Sequence, residues 1–324
     1  LTIATLLPAV TSSHPPRALS CYQPVHPSSS VVIDVRGLRY HVRRWGDPAL
    51  ACAERPPLVM LHGWMDVGAS FQFVVDALAA PRHVVAPDWR GFGLTEAPGT
   101  DTYWFADYLA DLDALLDQLA PGQPVDLLGH SMGGNVAMLY AGIRPERIRR
   151  LVNLEGFGMP GNTPDEAPSR YRRWLDELKV PQRLRSYDSP QAVAERLCRN
   201  NPLLRPDRAA WLAQHWARRD EASGQWVILG DPAHKRVNPV LYRKEEVLAC
   251  WQRIGAPVLW VEGDRTDVAR WWGDRYPRTE FEARLAVVPR VERHVLSPAG
   301  HMLHHDQPEA LARRIEAFLD APGD

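Results

Sequence analysis

The stretch Gly129-His130-Ser131-Met132-Gly133 sets a serine between two glycines, each two residues away. A serine hydroxyl in that setting can act as a nucleophile. It needs a sharp strand-to-helix turn that holds Oγ out of the sheet, and a base that takes its proton. Gly129 and Gly133 remove two Cβ atoms where backbone must pass closely, which lets Ser131 adopt a strained backbone angle. The helix expected after it points its free N–H groups and positive dipole end at the same place. The alternative is an ordinary hydroxyl in a glycine-rich turn, so the rest of the chain must supply a base, an acid and an oxyanion hole.

The elements around Ser131 fit the demanding reading. Val125 to Leu128 is a short apolar run, read as a buried strand, and Asn135 to Tyr140 is compatible with a helix. Val31–Val35 and Leu38–Arg44 flank Gly37 as a hairpin. Further buried strands are expected at Leu58–Leu61, in His83–Pro87, at Arg150–Leu154, at Val258–Val261 and at His294–Leu296. Helical spacing marks Ala69–Ala79, a helix running through Phe105 to Leu119, and Pro308–Leu319. Short apolar strands alternating with helices imply an α/β fold with a mostly parallel central sheet, covered by helices on both faces.

The alternation breaks between about Met159 and Ala249, where Arg-rich helical stretches carry Trp174, Trp211, Trp216 and Trp226. An insertion this long between two late core strands reads as a helical cap lying over the carboxyl edge of the sheet. The expected organisation is therefore a Pro- and Ser-rich, loosely ordered leader over 1–30, a core over 31–158 and 250–324, and a cap over 159–249. Leu1 to Val10 is faintly like a signal peptide but has no basic residue before it.

Bulk composition narrows the function classes. The 324 residues are 45% hydrophobic and 24% charged with a net charge of −1, so nothing marks a nucleic-acid partner. No apolar run approaches the roughly 20 residues that span a bilayer. The four cysteines, Cys21, Cys52, Cys198 and Cys250, show neither C-x-x-C nor metal spacing. They suggest a reducing, cytoplasmic compartment, and no metal or organic cofactor is expected.

Four motifs occur in order: His62-Gly63-Trp64, "DWRGFGLT" at Asp88–Thr95, "GHSMGG" at Gly129–Gly134, and "AGHMLHHDQPEALARRIEAFL" at Ala299–Leu319. Together they resemble the α/β-hydrolase superfamily, in its capped, serine-hydrolase-like and epoxide-hydrolase-like branch, over roughly Val31 to Leu319. The resemblance implies Ser131 as nucleophile and His301 as base, since an imidazole can take the serine proton and return it to the leaving group. His304 and His305 are expected as supporting or surface groups, and His130 to point away from Oγ. Backbone N–H groups of Met132 and Trp64 are implied as the oxyanion hole. Asp88, Arg90, Gly91 and Gly93 are read as shaping a structural loop.

The acid departs from the usual pattern. The superfamily's aspartate is expected three residues after Gly263, where this chain has Thr266. Asp264 and Asp267 flank that position, while some capped members carry a glutamate after the preceding strand, where Glu155 stands in "LVNLEGFGMP". Glu155 is the first choice, Asp267 the second and Asp264 the third.

The implied activity is hydrolysis of a small to medium carboxylic ester through an acyl-enzyme. A C–C bond hydrolase, lactonase, thioesterase or amidase would use the same groups, and a non-catalytic receptor of the same fold is the reading from another class. A serine nucleophile disfavours dehalogenase and epoxide-hydrolase chemistry, which needs an aspartate there. The partner expected is a small-molecule substrate, with no nucleic acid and no membrane.

Overall fold

A computed structural model describes residues 21–322. Eleven strands are formed: β1 (Ser29–Val35), β2 (Leu38–Trp45), β3 (Leu58–Leu61), β4 (Val84–Pro87), β5 (Val125–His130), β6 (Ile148–Leu154), β7 (Ser186–Tyr187), β8 (Ala217–Arg219), β9 (Trp226–Ile228), β10 (Val258–Gly263) and β11 (Val291–Leu296). The helices are α1 (Gln72–Asp76), α2 (Phe105–Leu119), α3 (Met132–Ile143), α4 (Ala167–Leu178), α5 (Pro190–Asn200), α6 (Pro206–Trp216), α7 (Lys244–Trp251), α8 (Ala269–Trp272), α9 (Arg278–Leu285), α10 (Leu303–Asp306) and α11 (Pro308–Leu319). None of them is long and apolar enough to cross a membrane.

Eight strands make one sheet in the order β1-β2-β4-β3-β5-β6-β10-β11. Only β2 runs against the others, pairing antiparallel with β1 and β4. The inner strands β3, β5 and β10 are buried along their whole length, as a sheet covered on both faces requires. Alternate residues divide between two cores. Val59, Leu61, Leu127 and Trp260 face Leu112, Tyr140, Trp251 and Phe281 from α2, α3, α7 and α9. Leu58, Met60, Leu128 and Leu259 face Val74, Leu311, Ile315 and Leu319 from α1 and α11.

The segment between β6 and β10 carries α4, α5 and α6, and also a three-stranded antiparallel sheet in the order β7-β9-β8. Strands of two or three residues carry too little alternation to be read from sequence. Helix α7 straddles the expected boundary at 249/250 and packs on α3. A Cβ at Gly142 of α3 would overlap the Cys250 carbonyl of α7. The helix expected over Ala69–Ala79 is instead a 3₁₀ turn, Gly68–Phe71, followed by the five residues of α1. Of the expected leader, residues 1–20 lie outside the described residues. The described part is tied down: Tyr22 packs edge-on against Phe73 at 4.9 Å, donates its hydroxyl to Asp76, and bonds by its N–H to the Asp207 carbonyl of α6.

The segment between β6 and β10 is clamped to the rest of the chain along several lines. Val67, Ala69 and Phe73 of the core share one apolar cluster with Val193, Leu197, Trp211 and Leu212 of α5 and α6. Gly93 N–H donates to Leu229 O, and Asp231 N–H to Gly91 O. The His234 ring is stacked between Phe92 and Tyr103, with centroids 3.7 and 3.5 Å away. Arg208 of α6 donates to the His305 carbonyl and to Glu309.

Two predictions follow from this packing. Gly142→Ala gains helix propensity of about 1 kcal/mol, but it forces α7 away from α3 and should destabilise the fold by about 1–3 kcal/mol net. Denaturant titration measures this, and a stabilised variant would contradict the contact. The second concerns three histidines, two buried and one half-buried, near the contacts between the β6–β10 segment and the rest of the chain. Burial pushes His234 down to about 3, and burial with nearby Arg43 pushes His215 down to about 4. Burial, with His304 and Arg208 alongside, pushes His305 well below 6.5. A depressed folded value means that the unfolded chain takes up these protons first. The stability they confer is full above pH 6.5 and is lost as pH falls from there toward the folded values. Unfolding free energy should therefore drop by up to about 4 kcal/mol per pH unit from three such groups. Denaturation midpoints at pH 7.5 and pH 5 test this; equal midpoints would contradict it.

Candidate active site

Ser131 sits between β5 and α3 with φ 52° and ψ −114°, a region that L-residues adopt only under constraint. Its N–H donates to the Leu154 carbonyl at 2.8 Å, and its carbonyl accepts from Asn135 N–H. Those bonds hold the turn against the end of β6. The two glycines are needed for packing. A Cβ at Gly129 would run into the Gly133 carbonyl, and one at Gly133 into the Leu61 and His62 carbonyls at the end of β3. Without both Cβ atoms α3 could not start this close to the sheet.

Glu155 follows β6 directly and also has a left-handed backbone, φ 55°. It is 1% exposed, yet both carboxylate oxygens are satisfied. Oε1 accepts from Gly263 N–H at 2.7 Å and from the Thr266 hydroxyl at 2.6 Å, while His301 Nδ1–H donates to Oε2 at 2.6 Å. A carboxylate on Nδ1 fixes the tautomer that leaves Nε2 as a base. The structure thus brings His301 and Glu155 together. Asp267 is exposed and accepts from Ala269 N–H, and Asp264 accepts from the Ser297 hydroxyl and Ala299 N–H. Both serve as loop caps and are not bonded to His301. Thr266 stands where an acid would be expected and instead donates to Glu155 at the end of the neighbouring strand, a contact that sequence reasoning missed.

His301 lies in the loop between β11 and α10. Its carbonyl accepts from His130 Nε2–H at 2.8 Å, and the two rings are 4.8 Å apart. The residue before Ser131 therefore anchors the histidine loop, so the turn and the imidazole are held at the same end of the sheet. Trp271 presents its face or edge to His301 with ring centroids 4.6 Å apart, a contact with no motif in the sequence to signal it. His304 and His305, expected as supporting or surface groups, are not at the surface: both are buried.

Met132 is the first residue of α3, so its N–H belongs to the unpaired first turn of that helix. Trp64 follows His62-Gly63 at the end of β3 and is half exposed. His62 shapes that loop: Nδ1–H donates to Gly63 O, Nε2 accepts from Trp89 N–H, and His62 O accepts from Trp89 Nε1–H. Burial keeps this imidazole below its ordinary value and hence neutral, in agreement with Nε2 acting as an acceptor. The loop from Asp88 to Thr95 is pinned in turn. Asp88 accepts from Gly68 and Leu94 N–H groups and pairs with His41, and Arg90 makes a two-pronged bond to Asp111.

Comparison with known proteins agrees with this geometry. The family model for the alpha/beta hydrolase fold matches residues 56–308. A serine hydrolase-like protein of Danio rerio is 25% identical over 285 residues, covering 81% of each chain. The esterase YbfF of Escherichia coli (strain K12) is 25% identical over 272 residues, covering 82% of this chain and 93% of its own. Among solved structures, the thioesterase domain from the curacin biosynthetic pathway shares the fold with a TM-score of 0.76 at 24% identity, over 89% of this chain and 99% of that one. With the family model spanning most of its length and its sheet, turn and helices in the matching arrangement, the chain belongs to the alpha/beta hydrolase fold family.

Proposed function

We propose that this chain is a serine hydrolase that cleaves a small to medium carboxylic ester. The observation that carries the reading is the buried Glu155 carboxylate on His301 Nδ1, at the same sheet end as the constrained Ser131 turn. Ser131 Oγ attacks the ester carbonyl while His301 Nε2 takes its proton, and Glu155 stabilises the imidazolium. The N–H groups of Met132 and Trp64 receive the charge that develops on the carbonyl oxygen. His301 then protonates the leaving alcohol and activates the water that releases the acid. The cap segment, 159–249, forms the lid that selects the substrate. Its seating against the Gly91–Gly93 loop, which Trp89 N–H bonds to His62, supports this role. The four unpaired cysteines agree with a cytoplasmic setting.

A fluorophosphonate probe should label the wild-type protein at one residue, Ser131, and a panel of p-nitrophenyl esters of increasing chain length should reveal turnover. Ser131→Ala should abolish labelling and lower kcat by about 10⁴–10⁶-fold with the fold intact. Failure of the probe to label the wild-type protein would favour a non-catalytic receptor. Turnover of thioesters or lactones in preference to every oxygen ester would keep the nucleophile but change the substrate class.

The acid is tested separately. Glu155→Gln should lower kcat by about 10⁴-fold, because the buried amide no longer stabilises the imidazolium. Asp267→Asn should stay near the wild-type rate, as it loses only an exposed cap. The opposite ranking of these two variants would move the acid to the loop after β10.

A further inference from the structure

Behind the His301 loop lies a second set of chemically competent groups that the hydrolytic reading does not use. Asp66, His130 and His304 come from the loop after β3, the end of β5 and α10. All three are at least nine-tenths buried, and one ligating atom from each lies within 4.8 Å of the other two. Asp66 Oδ2, His130 Nδ1 and both ring nitrogens of His304 have no hydrogen-bond partner within the chain. Leaving one such atom without a partner costs on the order of 1–3 kcal/mol, and here three, one from each residue, lie within 4.8 Å of one another. The nearest pair, His304 Nε2 and Asp66 Oδ2, are 3.6 Å apart, too far for a direct hydrogen bond.

The bonds around the cluster prepare these atoms to bind a cation. His130 stands at the end of β5 with its side chain buried. Its Nε2–H is committed to the His301 carbonyl, which leaves the lone pair on Nδ1. A backbone carbonyl on one imidazole nitrogen is the usual way of orienting the other toward a metal. Asp66 Oδ1 is held by Val67 N–H and by the Ser70 hydroxyl, so Oδ2 is the free oxygen.

We propose that Asp66, His130 and His304 form a buried site for a divalent transition-metal cation of the zinc type. Two imidazoles and one carboxylate are a donor set suited to such an ion, with a fourth position left for water. An ion about 2.1 Å from two atoms 3.6 Å apart subtends roughly 120° between them, close to tetrahedral. Small ring rotations that bring the wider separations below about 4.2 Å, twice that bond length, complete the set. The three residues are far apart in the chain, so no ligand spacing announces the site. Bound there, the ion polarises His130 and strengthens its Nε2–H bond to the His301 carbonyl, tying the cation to the position of the base.

The full chain, stripped with a chelator and dialysed, is titrated with Co²⁺ and the bound metal is counted after gel filtration. Wild type and His301→Gln should each take up one equivalent, and His304→Gln should bind at least about 100-fold more weakly. No uptake by the wild-type protein would overturn the site, as would uptake untouched by His304→Gln. Loss of uptake in His301→Gln would place the cation on the exposed histidine and would also overturn it. If His304→Gln does not fold, anomalous scattering at the zinc edge from wild-type crystals grown with Zn²⁺ decides: a peak bounded by Asp66, His130 and His304 supports the site, and a peak elsewhere or none rejects it. Fluorophosphonate labelling of the metal-free wild-type protein reads the nucleophile, and metal uptake reads the second site, so failure of one is distinguished from failure of the other.

Discussion

A carboxylate 1% exposed is the constraint on which this architecture turns. An ionised group so far from solvent is tolerable only when each oxygen is matched by a donor. Glu155 finds its donors on three pieces of chain: Gly263 N–H at the end of β10, the Thr266 hydroxyl in the loop after it, and His301 after β11. Those donors can meet only if β6, β10 and β11 end at nearly the same level. Their parallel register, with Leu154 beside Val261 and Gly263 beside Leu296, provides this. The next strand over is held to the same level by the Ser131 N–H bond to Leu154 O. One buried charge thus aligns the ends of four strands.

Strain at that edge is balanced by packing further in. Ser131 and Glu155 both occupy left-handed backbone angles, each costing on the order of 1–3 kcal/mol. They persist because the strands before them are buried on both faces and cannot relax without breaking ladder bonds on either side. The same edge gathers neutral imidazoles. His62 and His130 are kept uncharged by burial, so they act as fixed donors and acceptors at neutral pH and do not compete with His301 for protons.

Much of this was legible in the sequence because the signals are local. Apolar runs located β3 and β10, and the spacing of Leu112, Leu115 and Leu116 marked α2. The glycines around Ser131 carried the turn, since their absence of Cβ is itself the requirement. What could not be read depends on distant contacts. In the three-stranded sheet between β6 and β10, β7 pairs with β9 across some forty positions, and β8 and β9 are only three residues long. The burial of His304 and His305 comes from neighbours such as Phe71 and Phe73, so the choice between supporting and surface groups, left open by the sequence, depends on contacts distant in the chain. The choice among Glu155, Asp264 and Asp267 depended on which carboxylate the fold buries, a property that spacing does not encode. Thr266 was noticed only for lacking a charge, when its hydroxyl is what the acid needs.

The segment ahead of β1 has a mechanical consequence. Tyr22 bonds at once to the Asp207 carbonyl of α6 and to the Asp76 side chain of α1, so a short strap links the segment between β6 and β10 to the sheet's own helices across their seam. Arg208 reinforces the same seam by lying over the rings of Tyr22 and Phe73. At the other side of the cap, α4 buries no residue and meets the core through contacts such as the single bond from Trp174 to Thr102. The two sides therefore resist displacement unequally. The segment between β6 and β10 is fastened more firmly along α6, where residues 21–28 add to the seam, than along α4.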